Sequence, residues 1–296
     1  MQQSHFPVNL AGILIGANTH LVFEQAAVCG GASITMDNSS FGGDSQVSFA
    51  NARLSDRGRL SLADVDMHGK SQVLLSKATV KGAAIVFMGG VALHDAASIS
   101  LSDITVEGEA QVVSRSSILR GDSVLKVARP IVLGGKLVLD GLRLEDKAEL
   151  FIRRARLDSS ATVSLSGMDV SGKATASLTA ITLKGGSVVD ATRMRISSRG
   201  RLAVEGSIIL GGKLSLAASR FLGGSRTTIS IDRIVSGRVS LERIAATDGS
   251  VVVIEGARTD DSGRIWLGAE TLSEPGAVFL GRMLGAEGIA HIVSST

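Results

Sequence analysis

Residues 137–183 read LVLDGLRLEDKAELFIRRARLDSSATVSLSGMDVSGKATASLTAITL. Aliphatic side chains fall at Leu137, Leu139, Leu142 and Leu144, then at Leu150, Ile152, Ala155 and Leu157. They recur at Val163, Leu165, Met168 and Val170, and again at Ala176, Leu178, Ile181 and Leu183. The offsets within each group are 0, 2, 5 and 7, and the groups start 13 residues apart. Offsets 0 and 2 have the period of a strand with alternate side chains on one face, and so do 5 and 7. The odd step from 2 to 5 would turn the second pair outward on a straight strand. Both pairs face one interior only if the chain bends between them.

The same rhythm extends outward from this stretch. It is present at Val47, Phe49, Ala52 and Leu54, at Leu60, Leu62, Val65 and Met67, and onward to Leu214, Leu216, Ser219 and Phe221, giving about fourteen tandem units. Gly, Asp, Lys or Ser follow each group, as in Gly69-Lys70, Gly172-Lys173 and Gly223-Gly224; these are turn residues, and Gly accepts positive φ. Offsets 0, 2, 5 and 7 do not line one face of a 3.6-residue helix. Stacked parallel coils explain a motif repeated this evenly, because each coil buries its inner face only against its neighbours. The fold class is therefore all-β, a single-stranded parallel β-helix or β-solenoid of ~13-residue units. Two units per coil, about 26 residues, are expected, because a coil of ~13 leaves little room for Leu and Met and such small scaffolds need staples. The phrase Gly-Gly-Lys-Leu occurs at 134–137 and at 211–214, a separation that fits one unit or two per coil.

Three regions follow: an irregular N-terminal cap over residues 1–30, solenoid repeats over 31–256, and irregular, truncated C-terminal coils over 257–296. The first contains His5, Pro7 and Phe23; spacing slips from about residue 225, and a polar cluster with Trp266 occupies Ala257–Ser273. No capping helix is evident at either end, which suggests a segment of a longer repeat protein.

Composition agrees with a uniform aliphatic interior. Of 296 residues, 44% are hydrophobic but only 3% aromatic, with one Trp and no Tyr, and Gly numbers 35. The net charge of +3 comes from interspersed signs, without a basic run or aromatic platform for nucleic acid. One cysteine, Cys29, excludes an internal disulfide framework and reads as a small buried apolar residue. No segment is long and apolar enough to span a bilayer, and residues 1–7 carry no Lys or Arg of a signal peptide.

Candidate chemistry is sparse. The best carboxylate pair, Asp260-Asp261, sits in a turn-like run, and His68-Gly69 falls at a unit boundary where a turn explains it. The histidines at 5, 20, 68, 94 and 291 follow no metal-binding motif. Asn38-Ser39-Ser40 matches a glycosylation acceptor, and a turn explains it equally well. No catalytic, cofactor-binding or metal residues are assigned, and no cofactor is expected.

The alternation in Ala161–Gly172, Val-x-Leu followed by Ser-Gly turns, resembles the repeat body of the dispersed gene family of trypanosomatid surface proteins over most of residues 31–256. Bacterial autotransporter passengers are similar in the same way. Both resemblances imply an extracellular or cell-surface, non-enzymatic rod for adhesion, with host-cell or matrix ligands, or itself end to end, as partners. The outward positions Arg153, Arg156, Arg193, Arg195, Arg199 and Arg201 vary from unit to unit, as a display surface would. Two rival readings stay open: a pectin-lyase-like carbohydrate-active enzyme, and a self-polymerising solenoid like the bactofilins.

Overall fold

A computed structural model of the chain describes residues 7–255 and strand residues 258–259, 264–272, 277–280, 284–285 and 290–294; beyond residue 255, side chains are described at 264–266. Among the described residues the elements are all β-strands, and they pair in parallel. One turn consists of the strands Gln46–Ser48, Arg53–Leu54, Arg59–Ser61 and Asp66–Met67, after which Gln72–Leu74 begins the next. Val73 pairs with Val47 below and with Ile99 above, so the repeat in space is 26 residues and each turn holds two units. At about 4.8 Å per rung the stack from Val8 to the last strand is roughly 50 Å long.

The bend required between offsets 2 and 5 has a defined cause. The residue at offset 4 of the units adopts the left-handed conformation: Gln25, Asn38, Asn51, Asp64, Lys77, Gly90, Asp103, Ser116 and Arg129 have φ between 53° and 68° apart from Asp64 at 52°. L-residues adopt this region at a cost of roughly 1–2 kcal/mol, and Asn, Asp and Gly tolerate it best. Here the neighbouring turn holds it in place. Asn51 N–H donates to Ser76 O at 2.8 Å, Lys77 N–H to Ser102 O at 2.8 Å and Asp103 N–H to Ala128 O at 2.7 Å. Backbone groups at the corners are thus satisfied by the next turn, as buried polar backbone requires.

The inward residues form the core as their spacing predicts. Val47, Phe49, Ala52 and Leu54 are each at most 2% exposed, and so are Leu150, Ile152, Ala155 and Leu157. Full burial of each Val, Leu, Ile or Phe side chain among them contributes about 1.5–3 kcal/mol, and of each Ala less. A fifth inward position, offset 11, escapes a search for large aliphatics because it holds only small residues. Ala84, Ala97, Ala110, Ala148, Ala161 and Ala174 occupy it with no measurable exposure, as do Ser71, Ser123 and Ser187. The chain passes closest to its neighbour here. A Cβ on Gly58 would lie 2.1 Å from the carbonyl oxygen of Val28.

Between Val8 and Val28 the strands Val8–Asn9, Leu14–Ile15, His20–Val22 and Ala27–Val28 already pair in register with the turn above. Burial is thinner there: Leu14 is 80% exposed and Val22 63% exposed. Apolar residues on the outward side obscure the repeat in that segment. Cys29 is part-exposed, just after inward Val28, and not the buried apolar residue its type suggests. The spacing slip near residue 225 corresponds to register shifts between Val204 and Ile208, opposite the strand Arg226–Ile234.

Candidate functional site

Stacking in register converts sequence distance into lateral contact. Outward residues 25 or 26 positions apart become rungs of one column, about 4.8 Å apart. Several columns carry charge pairs. Arg129 donates from Nε and Nη2 to the two carboxylate oxygens of Asp103 at 2.6 and 2.7 Å. That bidentate bond holds the Asp103 carboxyl below the usual aspartate range. Arg120 Nε lies 2.8 Å from Glu145, which also accepts from Arg143 at 2.9 Å. The Arg120 hydrogen bond, ahead of the other influences, lowers the Glu145 carboxyl.

A different surface occurs where arginines stack on arginines. Arg195 pairs in register with Arg220, and Arg201 with Arg226. Arg199 lies at the turn between those two sides with φ 71°, and Arg193 at the preceding corner with φ 56°. All six are exposed. Arg193 donates to Ser166 Oγ at 2.9 Å. Arg195, Arg201, Arg220 and Arg226 make no ion pair among the described residues, with Asp169 one rung below Arg195 as the nearest acid in that column. Thr175, Arg201, Ala203, Glu205, Arg226 and Thr228 line an open trough of about 390 Å³ on this face. Like charges at rung spacing repel each other, and Glu205 in the same trough offsets part of that charge.

A third cluster combines His68, His94 and Asp66. Asp66 and His68 flank inward Met67 and both point outward, and His94 is one turn above His68. The imidazole rings stack with centroids 4.7 Å apart and planes 9° from parallel. His68 Nε2 is 2.9 Å from one oxygen of Asp66, and His94 Nε2 is 3.3 Å from the other.

The outward arginines expected from the sequence, Arg153, Arg156, Arg193, Arg195, Arg199 and Arg201, are all exposed. Arg153 lies over the Phe151 ring, 4.4 Å from its centroid. The stacking partners Arg220 and Arg226 were not singled out by sequence; adding 25 to 195 and 201 finds them. Gly69 has φ 67° in a turn, as expected of His68-Gly69, yet His68 also meets His94. The histidines looked scattered in linear order, and the separation of 26 between these two was the signal. Asn38 is a left-handed corner residue with buried Ser39 after it, which is the turn reading of that tripeptide. Asp260-Asp261 and His5 lie outside the described residues, as does the side chain of His291.

No family model matches the chain, so the resemblance to trypanosomatid surface proteins gains no support there. No curated protein matches it either. Among solved structures the chain is similar to a hyper-glycosylated fragment, TibA55-350, at 13% identity and a TM-score of 0.30, covering 95% of this chain and 99% of that one. It is also similar to the periplasmic alginate epimerase AlgG, at 10% identity and a TM-score of 0.24, over 89% of this chain and 79% of that one. A PL6 alginate lyase bound to a trisaccharide shares 8% identity at a TM-score of 0.24, over 98% and 87% of the two chains. At these values the likenesses carry no argument about activity. The described residues contain no helix long and apolar enough to cross a membrane. What the chain's own geometry establishes is a β-helical repeat protein with charged outward columns.

Proposed function

We propose that the chain is a non-enzymatic, adhesive segment of a cell-surface or secreted β-solenoid, and that its arginine columns contact acidic polysaccharide. The observation that carries this reading is the register of Arg195 with Arg220 and of Arg201 with Arg226 beside an open trough. A solenoid fixes its inward positions and leaves its outward ones free to specialise. Arginines in register on adjacent rungs, without an ion pair among the described residues, attract repeated carboxylates or sulfates, and the planar fork suits bidentate contact.

The test is binding of the chain to immobilised heparin and to polyguluronate over a salt series. Arg201→Ser with Arg226→Ser should weaken binding about tenfold and flatten its salt dependence; unchanged binding would overturn the assignment. The runner-up is a carbohydrate-active enzyme, favoured by Glu205 placed beside the two arginines of the trough. Incubation with the same polyuronide separates the two: the adhesive reading expects no loss of chain length, and depolymerisation would replace it. Surface biotinylation of source cells, followed by immunoblotting for this chain, tests the location.

A further inference from the structure

We infer that Asp66, His68 and His94 form a divalent transition-metal site that clamps two adjacent turns together. Their ligand atoms already converge, all within 4.8 Å of one another. Metal–ligand bonds of about 2.0–2.1 Å in tetrahedral geometry place neighbouring donor atoms roughly 3.3 Å apart. The two Nε2-to-carboxylate separations, 2.9 and 3.3 Å to the two oxygens of Asp66, lie just below and at that value. Closing the set needs small side-chain shifts that bring both imidazole nitrogens and a carboxylate oxygen to a common centre.

A second observation is independent of those distances. Oxygen Oδ1 of Asp66 is buried and accepts no hydrogen bond, although His94 Nε2 stands 3.3 Å away. The nitrogen is close enough for charge interaction but lies outside hydrogen-bond geometry. A buried carboxylate oxygen without a donor is costly, and a cation between it and the imidazoles satisfies it.

The surroundings leave the site open. Ala92 is the rung above Asp66, and it brings no polar side chain. Gly42 occupies the equivalent position one turn below His68, where a Cβ would meet nothing closer than 4.0 Å. Arg120 follows His94 in the same column, but its guanidinium is bonded upward to Glu145 at 2.8 Å. The side chains of Asp66 and His68 are 48% and 46% exposed, and that of His94 is 26% exposed, so the remaining coordination positions face solvent.

Two imidazoles and one carboxylate suit Zn²⁺ or a neighbouring first-row divalent ion better than Ca²⁺ or Mg²⁺. Each imidazole binds through the Nε2 lone pair, so a proton now on that nitrogen moves to Nδ1 or to solvent on binding. Three protein ligands leave at least one position for water or for an acidic group of a partner.

The experiment uses the full chain, cleared of metal with a chelator and titrated with Zn²⁺ by calorimetry and with Co²⁺ by visible absorption. One ion per chain is expected, with Co²⁺ bands of a four- or five-coordinate complex. His68→Ala, His94→Ala and Asp66→Asn should each weaken Zn²⁺ at least tenfold, while His20→Ala leaves it unchanged. His94→Gln replaces His94→Ala if the latter fails to fold, as judged by circular dichroism. Absence of saturable binding by the unsubstituted chain, or undiminished binding by the His94 variants, would overturn the assignment.

Discussion

Replacing Ala180 with glycine should stabilise the protein, against the usual effect of glycine in a β-structure. Ala180 is exposed at a corner, has φ 55°, and donates its N–H to Glu205 O at 2.8 Å. Its methyl group packs against nothing that the core needs, so the effect is confined to the backbone. An L-residue in this region carries roughly 1–2 kcal/mol of strain, which glycine removes. Glycine also frees the unfolded chain, at a cost of about 0.4–1 kcal/mol. The difference is a gain of about 0.5–1 kcal/mol, or around 2 °C in Tm for a chain this long. Ala203, half-exposed inside the strand Arg201–Leu210, provides the opposite case, since it has ordinary strand geometry. Ala203→Gly should lose about 0.5–1 kcal/mol. Ala180→Val should also lose stability, because a β-branched residue fits positive φ worst. Urea unfolding midpoints of the three variants decide the matter. If Ala180→Gly lowers the midpoint as Ala203→Gly does, the corner is not left-handed and the account of how the chain bends fails.

Leu165, with no measurable exposure, should cost about 2–5 kcal/mol when cut to alanine, read by the same unfolding midpoint. Gly212→Ala should cost about 1–3 kcal/mol, since its Cβ would lie 2.7 Å from Leu183 Cβ and from Ser187 O. Ser187→Ala, in the same column one turn earlier, should stay under about 1 kcal/mol, because it loses only a 3.4 Å hydrogen bond to Leu157 O. The Asp103 carboxyl is lowered in the fold by Arg129, so its stabilisation is present above the unfolded-state pKa near ~3.9 and is lost as pH falls through the folded value. Asp103→Asn should therefore cost under about 1 kcal/mol at neutral pH, the scale of an exposed pair, and the difference from the unsubstituted chain should vanish in acid when unfolding is measured across pH.

The fold was legible because its signal is periodic. Offsets 0, 2, 5 and 7 name the inward residues directly, and Leu60, Leu62, Val65 and Met67 are each at most 1% exposed. The coil size followed from volume, as a coil of two units gives such side chains an interior. Less legible were features that depend on small or polar residues. Offset 11 accepts Gly, Ala or Ser, which also fill turns, so composition alone does not separate the two uses. The left-handed corner accepts Arg154, Ala180 and Lys77 as well as Asn51, with φ from 53° to 58°, because the turn above holds the backbone. Residue type is a poor guide where a neighbouring turn supplies the constraint.

The outward clusters were hidden for a related reason, and the Gly-Gly-Lys-Leu phrases show how to find them. From Val132 to Leu137 the inward residues are five apart, not the six seen from Leu54 to Leu60, and the same shortening recurs from Ile209 to Leu214. Each phrase marks a turn that has lost one residue. The offset-11 position is tight with or without the lost residue: a Cβ on Gly135 would lie 2.7 Å from Val106 Cγ1, and one on Gly58, in a full-length turn, 2.1 Å from Val28 O. Partners consequently lie 26 apart in most turns, as for Gln72 and Ser98, and 25 apart when a shortened turn falls between them, as for Arg195 and Arg220. Linear motifs do not reveal a site in such a molecule, because adjacent ligands come from different turns. Reading the sequence at a lag of 26, reduced by one across each shortened turn, places His94 over His68, Arg129 over Asp103 and Arg226 over Arg201. The chemistry of this surface is therefore written across the repeat, and a residue lost at a corner changes the sequence separation of the side chains that meet while the strands stay stacked in register.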